Sequence, residues 1–568
     1  MPSNAEAADL LRTIADLLDL TGERFKPEAY RRAARSVETL PEPLEKYAAR
    51  KELREIPGIG EAIAEKMEEY LRSGHIAYLD RLQKEIPAGV RMMMRLPGLG
   101  PKTARRLWTE LGIESPTALR EAIDAGRLND VKGFGPRKVE IFREATATEA
   151  PPSGGRIPLV DAYAIAQRIL TELKPTLTPE ERAEAAGSLR RGRETVGDLD
   201  LLVSSLRPRE IFDAAARLPE VAQVVLRGET KMTVLLRTRL QVDFRVVEPE
   251  SFGSALVYFT GSKDHNIRIR SLARERGLKI NEYGVYRGEE RVAGHSEADV
   301  YRALGLPWIP PEIREDRGEV DAALRRELPA LLETTELKGE LHWHVPPNAT
   351  VADVDVLLAE ARRRRFEYVG ALVEGVGADG EPARLSGEVR ECLDRRRSRH
   401  RPGEPYVWLA GEVPAKGRAK VSATLDYVVL RADPSSEPPA ARPSLSAPAP
   451  APRLLAHVGG GPSGTSTAPG HRSAWLAYAR DGGLPVEISS GNDGLDSEGG
   501  REAREKGVSL AVSTGLAPSP QDPSAAVSLA WARRAWTTAA DVVNTRPYRA
   551  WGRKDETRPA PGTSGRRA

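Results

Sequence analysis

The sequence predicts a multidomain α+β protein, and three observations support this fold class. Its 568 residues are too many for one hydrophobic core, so three or more domains are expected. About the first 150 residues show helical patterns throughout, and a break rich in Pro, Ser and Gly follows at 151–155. After this break, helical segments alternate with strands rich in Val and Leu. The strand candidates are 200–203, 221–226, 233–237 and 241–247.

The composition restricts where the protein works and what it binds. A formal net charge of +3 with 29% charged residues means that any nucleic-acid surface must be a local basic face. The single cysteine, Cys392, excludes an internal disulfide framework and fits a reducing cytosol. No apolar run approaches the roughly 20 residues of a membrane span, and 7–20 reads as an amphipathic helix. We therefore expect a cytoplasmic protein without a membrane partner.

A short pattern, apolar-Pro-Gly-apolar-Gly or close to it, occurs three times in the helical region, at 56–60, 96–100 and 131–135. This is the helix-hairpin-helix pattern, whose glycines allow backbone N–H groups at a helix start to hold a DNA phosphate. Such contacts position DNA without reading its sequence. A plain tight turn between packed helices would explain one copy, but three copies in one region favour DNA binding. The glycines concerned are Gly58, Gly60, Gly98, Gly100, Gly133 and Gly135.

A Gly-Ser turn followed by an Asp-x-Asp sequence is the most informative motif of the chain. The turn is 187–188, and the acids Asp198 and Asp200 follow. Two carboxylates that are two residues apart on a strand point to the same face, where they can share a pair of divalent cations. The small turn lets backbone N–H groups approach a triphosphate closely. The alternative interpretation is structural: Asp198 would cap a turn and Asp200 would be a solvated strand residue. It is the weaker one, because a third acid, Asp243, accompanies them.

Taken in this order, the motifs resemble those of the bacterial family X DNA polymerases. The resemblance runs from about Ala7 to Glu315 and continues, more weakly, to about Pro547 as a polymerase-and-histidinol-phosphatase (PHP) domain. It implies a helical helix-hairpin-helix region, a nucleotidyltransferase palm with a thumb, and a C-terminal PHP-like (β/α) barrel. The implied segments are a lyase-like helical domain at 1–83, a second helix-hairpin-helix domain at 84–150, the palm at 151–247, the thumb and nucleotide-selection domain at 248–317, a connector at 318–336, a degenerate PHP domain at 337–550 and a disordered tail at 551–568.

The resemblance also implies roles for residues of the palm and thumb. Asp198, Asp200 and Asp243 would be catalytic and would hold two Mg²⁺ or Mn²⁺ ions, which prefer carboxylate oxygens. The residues implied to bind the incoming nucleotide are Ser188, Arg191, Gly197, Tyr258, Phe259, Gly261 and Asn266. Arg270 would contact the template strand. One departure is Val196, which stands where the family usually has a small polar residue, so one phosphate contact is expected to be missing.

The N-terminal domain resembles the lyase domain of this family. Lys66 matches the amine that would form a Schiff base with an abasic sugar, and Lys26 and Tyr30 match residues that bind a 5′-phosphate. Ala62 stands where a second Lys often lies, which weakens that pocket. An ordinary solvated helical lysine is the alternative interpretation of Lys66.

The PHP resemblance is eroded at its metal site. His342, His344, Glu412 and His457 match ligands of the family's metal cluster. The acid expected soon after the opening His-x-His is replaced by Ala349, and further ligands are missing near 372–374 and 513–517. We therefore expect the 3′-to-5′ exonuclease activity to be lost.

These observations together predict a DNA-directed DNA polymerase that fills short gaps in DNA repair. Its expected partners are gapped or nicked duplex DNA and deoxynucleoside triphosphates, and it is expected to act as a nucleoid-associated monomer in the cytoplasm. Two alternatives stay open. One is another nucleotidyltransferase, acting on RNA or a small molecule; the other is a non-catalytic scaffold that binds DNA ends.

Overall fold

A computed structural model of the chain divides into two compact units, Met1–Leu328 and Pro329–Ala568. The division falls inside the predicted connector, and each unit is described by itself. The structure describes residues 4–547 except 24, 39, 41–43, 74, 95–98, 129–130, 132–133, 136–138, 140–141, 144–155, 346–348, 374–385, 399–403, 416–417, 421–424, 434–435, 441–443, 447–452, 457, 459–468, 492–493 and 514–521. The predicted disordered tail at 551–568 therefore lies outside the described residues, as do Gly98, Gly133 and His457.

The first unit begins with a helical region that has one hydrophobic core. Its helices are α1 (Asn4–Thr21), α2 (Lys26–Glu38), α3 (Leu44–Ala49), α4 (Glu61–Ser73), α5 (Ala77–Glu85), α6 (Ala88–Met93), α7 (Pro101–Leu111) and α8 (Pro116–Asp124). Buried side chains of this core run from Ala7 to Phe142 without a break between the two predicted helical domains. Apolar side chains repeat on one face of each helix, so burying them against the neighbouring helices assembles a single body.

A five-stranded mixed sheet follows, with the strand order β2-β4-β7-β6-β5. Its strands are β2 (Arg182–Ala185), β4 (Asp198–Ser204), β5 (Val221–Arg227), β6 (Lys231–Leu236) and β7 (Gln241–Val247). The four strand candidates from the sequence are all strands of this sheet. Two further short strands, β1 (Ile157–Pro158) and β3 (Thr195–Val196), pair separately, and the helices of this part are α9 (Leu159–Leu173), α10 (Gly187–Arg190) and α11 (Pro208–Ala216).

The remainder of the first unit is a smaller mixed segment. Its helices are α12 (Phe252–Thr260), α13 (Lys263–Glu275), α14 (Glu297–Ala303) and α15 (Glu319–Arg325), and its strands are β8 (Lys279–Asn281), β9 (Gly284–Arg287) and β10 (Glu290–Ala293). Ser262 caps α13, because its hydroxyl accepts a hydrogen bond from the N–H of His265 at 3.2 Å.

The second unit is built on a parallel seven-stranded sheet in the order β11-β12-β13-β15-β17-β18-β19. The strands are β11 (Gly339–Val345), β12 (Tyr368–Val373), β13 (Tyr406–Pro414), β15 (Tyr427–Arg431), β17 (Arg453–Ala456), β18 (Val486–Ser489) and β19 (Leu510–Ser513). The accompanying helices are α16 (Val351–Arg363), α17 (Gly387–Ser398), α18 (Pro469–Gly482), α19 (Ser497–Glu505) and α20 (Ser524–Arg534), and β14 (Arg418–Lys420) pairs with β16 (Ser444–Ser446).

The sheet of the second unit is nearly closed into a barrel. The side-chain amide of Asn544 donates hydrogen bonds to the carbonyl oxygens of Gly339 and Val512, each at 2.8 Å, and so joins the first strand to the last. Asn544 is fully buried, as expected for an amide that satisfies backbone groups on two strands. The predicted barrel-like architecture is confirmed. Within the described residues, no helix combines the length and apolarity needed to span a membrane.

Candidate active site

Strand register places the three predicted catalytic acids on one face of the mixed sheet. In the parallel pair β4–β7, Asp200 lies directly opposite Asp243, and Asp198 lies two residues earlier on β4. Residues two apart on a strand share a face, so the three carboxylates lie on the same side of the sheet. This is the arrangement that the Asp-x-Asp spacing predicts, with the third acid supplied by the neighbouring strand.

Burial and neighbouring negative charge make the carboxyl groups of Asp198 and Asp200 harder to ionise. Burial, followed by the charges of Asp198 and Asp243, raises the pKa of Asp200 to about 6. Burial and the charge of Asp243 also raise the pKa of Asp198. At these two carboxyl groups, burial and neighbouring negative charge outweigh the positive charges of Arg156, Arg245 and Lys231, a condition that a bound cation would relieve.

Protein donors hold the carboxylate of Asp243. Its Oδ2 lies 2.6 Å from Nζ of Lys231, and its Oδ1 accepts a hydrogen bond from the Thr233 hydroxyl at 2.6 Å. The amide of Gln241 lies 3.3 Å from the same Oδ1. Sequence reasoning missed Lys231 and Thr233, although their spacing of two residues on β6 shows that they share a face.

The donor set suits a hard divalent ion in kind, because it offers three carboxylates on one face. As the side chains stand, however, the described residues contain no group of three or more His, Cys, Asp or Glu arranged to hold a metal ion. One oxygen of Asp243 is already paired with the ammonium group of Lys231. The metal-binding role of the three acids stays a prediction.

The Gly-Ser turn lies directly against Asp200. Gly187 is buried and has a φ of +62°, and a Cβ added there would lie 2.6 Å from Oδ2 of Asp200. Both facts require glycine at this position.

We expect Gly187→Ala to slow nucleotide addition at least tenfold, because the new methyl group must displace the Asp200 carboxylate. Single-turnover primer extension measures this rate. Gly277→Ala is the matched control: Gly277 has a φ of +68°, but an added Cβ would meet nothing within 4 Å. The control should lose about 1 kcal/mol of stability and keep its rate. Equal rates for the two variants would contradict the close contact between Gly187 and the carboxylate of Asp200.

The predicted phosphate-binding arginine, Arg191, is held by protein groups. Its Nε lies 2.9 Å from Oε1 of Glu315, and its guanidinium donates to the carbonyl oxygen of Thr260 at 2.5 Å. Ser188 is half-buried at the start of the same short helix. A triphosphate would therefore compete with Glu315 for Arg191.

Arg156 is a second arginine near the acids that sequence reasoning missed. Its guanidinium donates to the hydroxyl of Thr195 at 2.7 Å and to the carbonyl oxygen of the same residue at 2.5 Å. It also lies beside Gly197, where an added Cβ would be 3.5 Å from its Nη1. Arg156 follows directly after the Pro, Ser and Gly break, so nothing in its local pattern distinguished it from a linker residue.

The predicted steric gate is packed against the predicted base-reading helix α13. The rings of Tyr258 and Phe259 meet edge to face with centroids 4.9 Å apart. Asn266 donates a hydrogen bond from its side-chain amide to the carbonyl oxygen of Tyr258 at 2.7 Å, and the guanidinium of Arg270 lies 5.0 Å from the Tyr258 ring centroid. Gly261 ends α12 with a φ of +72°. These five predicted residues are thus brought together around one turn.

The predicted lyase residues also form a cluster. The ammonium of Lys66 donates to the carbonyl oxygen of Ala62 at 2.8 Å and lies 4.8 Å from the centroid of the Tyr78 ring. Tyr78 stacks on Tyr30 with centroids 6.4 Å apart, while Lys26 pairs with Glu23 at 2.8 Å. No local pattern distinguishes Tyr78, which lies on a different helix from the other members.

Three helix-hairpin-helix turns share a local geometry. The carbonyl oxygens of Gly60, Gly100 and Gly135 each accept a hydrogen bond from the N–H group four residues later. All three glycines are exposed, and a Cβ added to any of them would meet nothing within 4 Å. Packing within the protein therefore does not explain why these positions are glycine. Gly58 differs, because its φ is +87° and an added Cβ would approach the Arg32 side chain.

Buried side chains in the barrel surround the predicted PHP ligand His342. Its Nδ1 lies 2.6 Å from Oε2 of Glu487, and the hydroxyl of Ser513 donates to the same carboxylate. Although burial favours the neutral ring, the Glu487 charge and hydrogen bond raise the pKa of His342. His344 lies beside His342 with ring centroids 4.9 Å apart, and Glu412 is buried on β13. Sequence reasoning missed Glu487, which is far along the chain from the His-x-His.

Comparisons with known families match three parts of the first unit. Residues 2–76 match a helix-hairpin-helix domain, 90–140 match a SAM-like helix-hairpin-helix tandem, and 255–315 match the DNA polymerase beta thumb.

Curated relatives agree with these matches. The chain is 38% identical over 340 residues to DNA polymerase/3′-5′ exonuclease PolX of Bacillus subtilis (strain 168), covering 59% of this chain and 58% of the relative. It is 26% identical over 342 residues to DNA polymerase lambda of Rattus norvegicus, covering 55% and 56%, and 21% identical over 346 residues to DNA polymerase lambda of Arabidopsis thaliana, covering 55% and 62%. The matched part of the chain thus spans between 56% and 62% of each of these relatives.

Proposed function

We propose that this chain is a member of family X of the DNA polymerases and acts as a DNA-directed DNA polymerase that fills short gaps during DNA repair. The observation that carries the proposal is the set of three carboxylates on one sheet face beside a Gly-Ser turn. The helix-hairpin-helix turns and the thumb match support gapped or nicked DNA as one substrate and deoxynucleoside triphosphates as the other.

Asp198, Asp200 and Asp243 are the residues that would hold divalent ions, Mg²⁺ or Mn²⁺. Two such ions would supply activation of the attacking 3′-hydroxyl and neutralisation of the triphosphate. The raised pKa of Asp200 supports this role, because a bound cation would offset the burial and the neighbouring negative charges that raise it.

Arginine and backbone groups would orient the triphosphate. Arg191 offers a planar fork of donors once Glu315 is displaced, and Ser188 and Gly197 flank the turn that the phosphates would approach. Arg156, beside Gly197, supplies a positive charge near the place where Val196 lacks a polar side chain.

The gate and the reading helix would select the nucleotide. Tyr258, Phe259 and Gly261 would hold the sugar, and Asn266 and Arg270 would face the base edge and the template strand. The contacts of Asn266 and Arg270 with Tyr258 support this assignment, because they fix the reading helix relative to the gate.

Helix-hairpin-helix turns would hold the DNA backbone. Exposed glycines at 60, 100 and 135 leave their backbone open to a phosphate, which supports the proposed grip. Lys26 and Tyr30 would lie near a 5′-phosphate, and Lys66 is the candidate nucleophile of a 5′-deoxyribose phosphate lyase.

The second unit is proposed to be a degenerate PHP domain without 3′-to-5′ exonuclease activity. His342, His344, Glu412 and His457 would be remnants of its metal site. The Bacillus subtilis relative carries exonuclease in its name, so loss of that activity would distinguish the two proteins. The ligands missing at Ala349 and near 372–374 and 513–517 support this proposal.

Primer extension on a one-nucleotide gap with a 5′-phosphate tests the proposal. With Mg²⁺ and then Mn²⁺, we expect addition of the templated nucleotide and a strong preference for deoxynucleotides over ribonucleotides. A labelled primer read on the same gel should show no 3′ shortening without nucleotide. Tight binding to the gap without any addition would favour a non-catalytic DNA-end scaffold. Shortening that stops in a His342→Ala, His344→Ala double variant would overturn the loss of the nuclease.

A further inference from the structure

The register of β6 brings an ammonium group into the set of palm acids. In the antiparallel pair β6–β7, Thr233 lies directly opposite Asp243, and Lys231 lies two residues earlier on the same face. The side chain of Asp243 is largely buried, and its two oxygens contact Lys231 and Thr233, each at 2.6 Å. The most buried of the predicted metal-binding oxygens are thus already in contact with protein donors.

The position of Lys231 makes its charge useful to the whole site. Three positive charges act on the acids: Arg156 on Asp198, Arg245 on Asp200, and Lys231 on both. Of these, Lys231 also contacts a carboxylate of the set directly, at 2.6 Å from Asp243. Its ammonium therefore contributes to the neutralisation of all three carboxylates.

A divalent ion and Lys231 would compete for the same carboxylate. An ion bound to Asp243 would lie close to the ammonium, and two positive charges at such a distance repel each other. The side chain of Lys231 is 33% exposed and sits on a flexible stem, so it can move into solvent without disturbing the sheet. Thr233 is buried and stays in place, so it keeps the orientation of Asp243 while the ammonium leaves.

We propose that Lys231 is a built-in counter-ion that occupies Asp243 until a divalent ion replaces it, and that it thereby sets the affinity of the palm for that ion. The inference rests on the metal-binding role proposed above for the three acids. It adds that the ammonium of Lys231 competes with the divalent ion for Asp243. Thr233 has a separate role, which is to hold the carboxylate of Asp243 in its orientation. Lys231 is accordingly a positioning residue and does not take part in bond formation.

Mn²⁺ binding to the full-length protein without DNA or nucleotide tests the inference, followed by calorimetry or by the electron paramagnetic resonance of the unbound ion. At pH 8, Lys231→Met should bind Mn²⁺ roughly three- to tenfold more tightly than the parent chain, because the ion no longer competes with an ammonium for Asp243. Lys231→Arg keeps the charge and should bind close to the parent affinity. Lys174→Met, at an exposed lysine of the same unit, controls for the loss of one positive charge.

The outcomes separate the two proposals. Equal or weaker Mn²⁺ binding by Lys231→Met, together with binding by the parent that Asp200→Asn removes, would overturn the counter-ion role and leave the metal site standing. An increase in Lys174→Met equal to that in Lys231→Met would also overturn it, because net charge would then explain the effect. Mn²⁺ binding that Asp200→Asn does not weaken would contradict the metal site itself, and the inference with it.

Discussion

Asp243→Asn should reduce the rate of nucleotide addition by a factor on the order of 10³ or more while leaving DNA binding nearly unchanged. The substitution keeps the size of the side chain and removes the charge that faces Asp200 across the β4–β7 pair. It also removes the negative charge that pairs with the ammonium group of Lys231, because the amide of Asn is uncharged. The loss should appear in single-turnover extension of a gapped primer, with affinity for the same DNA measured by fluorescence anisotropy.

A matched control for this variant lies on α11. The carboxylate of Asp213 pairs with Arg227 at 2.7 Å and is about half exposed, so Asp213→Asn removes a charge from the same part of the chain away from the site. Its rate should stay within about twofold of the parent, as is usual for exposed ion pairs. A near-normal rate for Asp243→Asn would show that the metal assignment is wrong.

Glu297→Gln should lower the local free energy of unfolding around α10 and α14 by about 3–5 kcal/mol. Glu297 is 8% exposed and accepts two hydrogen bonds from Arg190, at 2.7 and 3.0 Å. It also accepts one from the fully buried Arg314 at 2.7 Å and one from Trp308 at 3.0 Å. A neutral amide would leave the buried Arg314 without its counter-charge and Arg190 with only the more distant Glu184, at 3.9 Å. Hydrogen exchange of the backbone amides in these helices measures the change.

The same helix provides the control for Glu297. Asp299 forms an exposed pair with Arg302 at 3.0 Å, so Asp299→Asn should change the exchange free energies by less than about 1 kcal/mol. Similar losses in the two variants would contradict the buried-network interpretation.

The difference in unfolding free energy between the parent chain and Glu297→Gln should depend on pH, because the pKa of Glu297 is lowered. Burial alone would raise the pKa of Glu297, but Arg314 and Arg190 outweigh burial and hold it below its ordinary value of 4.5. A carboxyl with a lowered pKa stabilises the fold fully above that ordinary value and loses this contribution as the pH falls towards the folded pKa. The gap between parent and Glu297→Gln should therefore be widest near neutral pH and should narrow below about pH 4.

The spacing of residues within short segments predicts much of the fold and part of the candidate active site. The two-residue separation of Asp198 and Asp200 and the four Val- and Leu-rich strands are properties of short segments, so the sequence was enough to predict them. The barrel-like second unit was inferred from resemblance and is confirmed. The contacts of Lys231 and Glu487 depend instead on which strands become neighbours. Periodicity shows which side chains share a face, but it does not show what lies opposite them.

Long-range charge pairing explains the other omissions. Arg190 meets Glu297 and Arg191 meets Glu315 across more than a hundred residues of chain, and no local pattern links these partners. The motif predicts that Arg191 binds a phosphate of the nucleotide. In this structure the guanidinium groups of Arg190 and Arg191 each have an acidic partner within the protein. Alternation and motif spacing contain no information on such pairs, since they arise only when the thumb folds against the palm.

The continuous core from Ala7 to Phe142 has a consequence for DNA held by the helical region. Gly60, Gly100 and Gly135 belong to turns that are anchored in one packed interior, so their separations are fixed before DNA arrives. The distances between the three turns are then the same in the free protein and in the complex. If the helical region holds DNA as proposed, DNA that contacts more than one turn must follow the path that these fixed separations allow, and the energy of bending it along that path contributes to which DNA is bound.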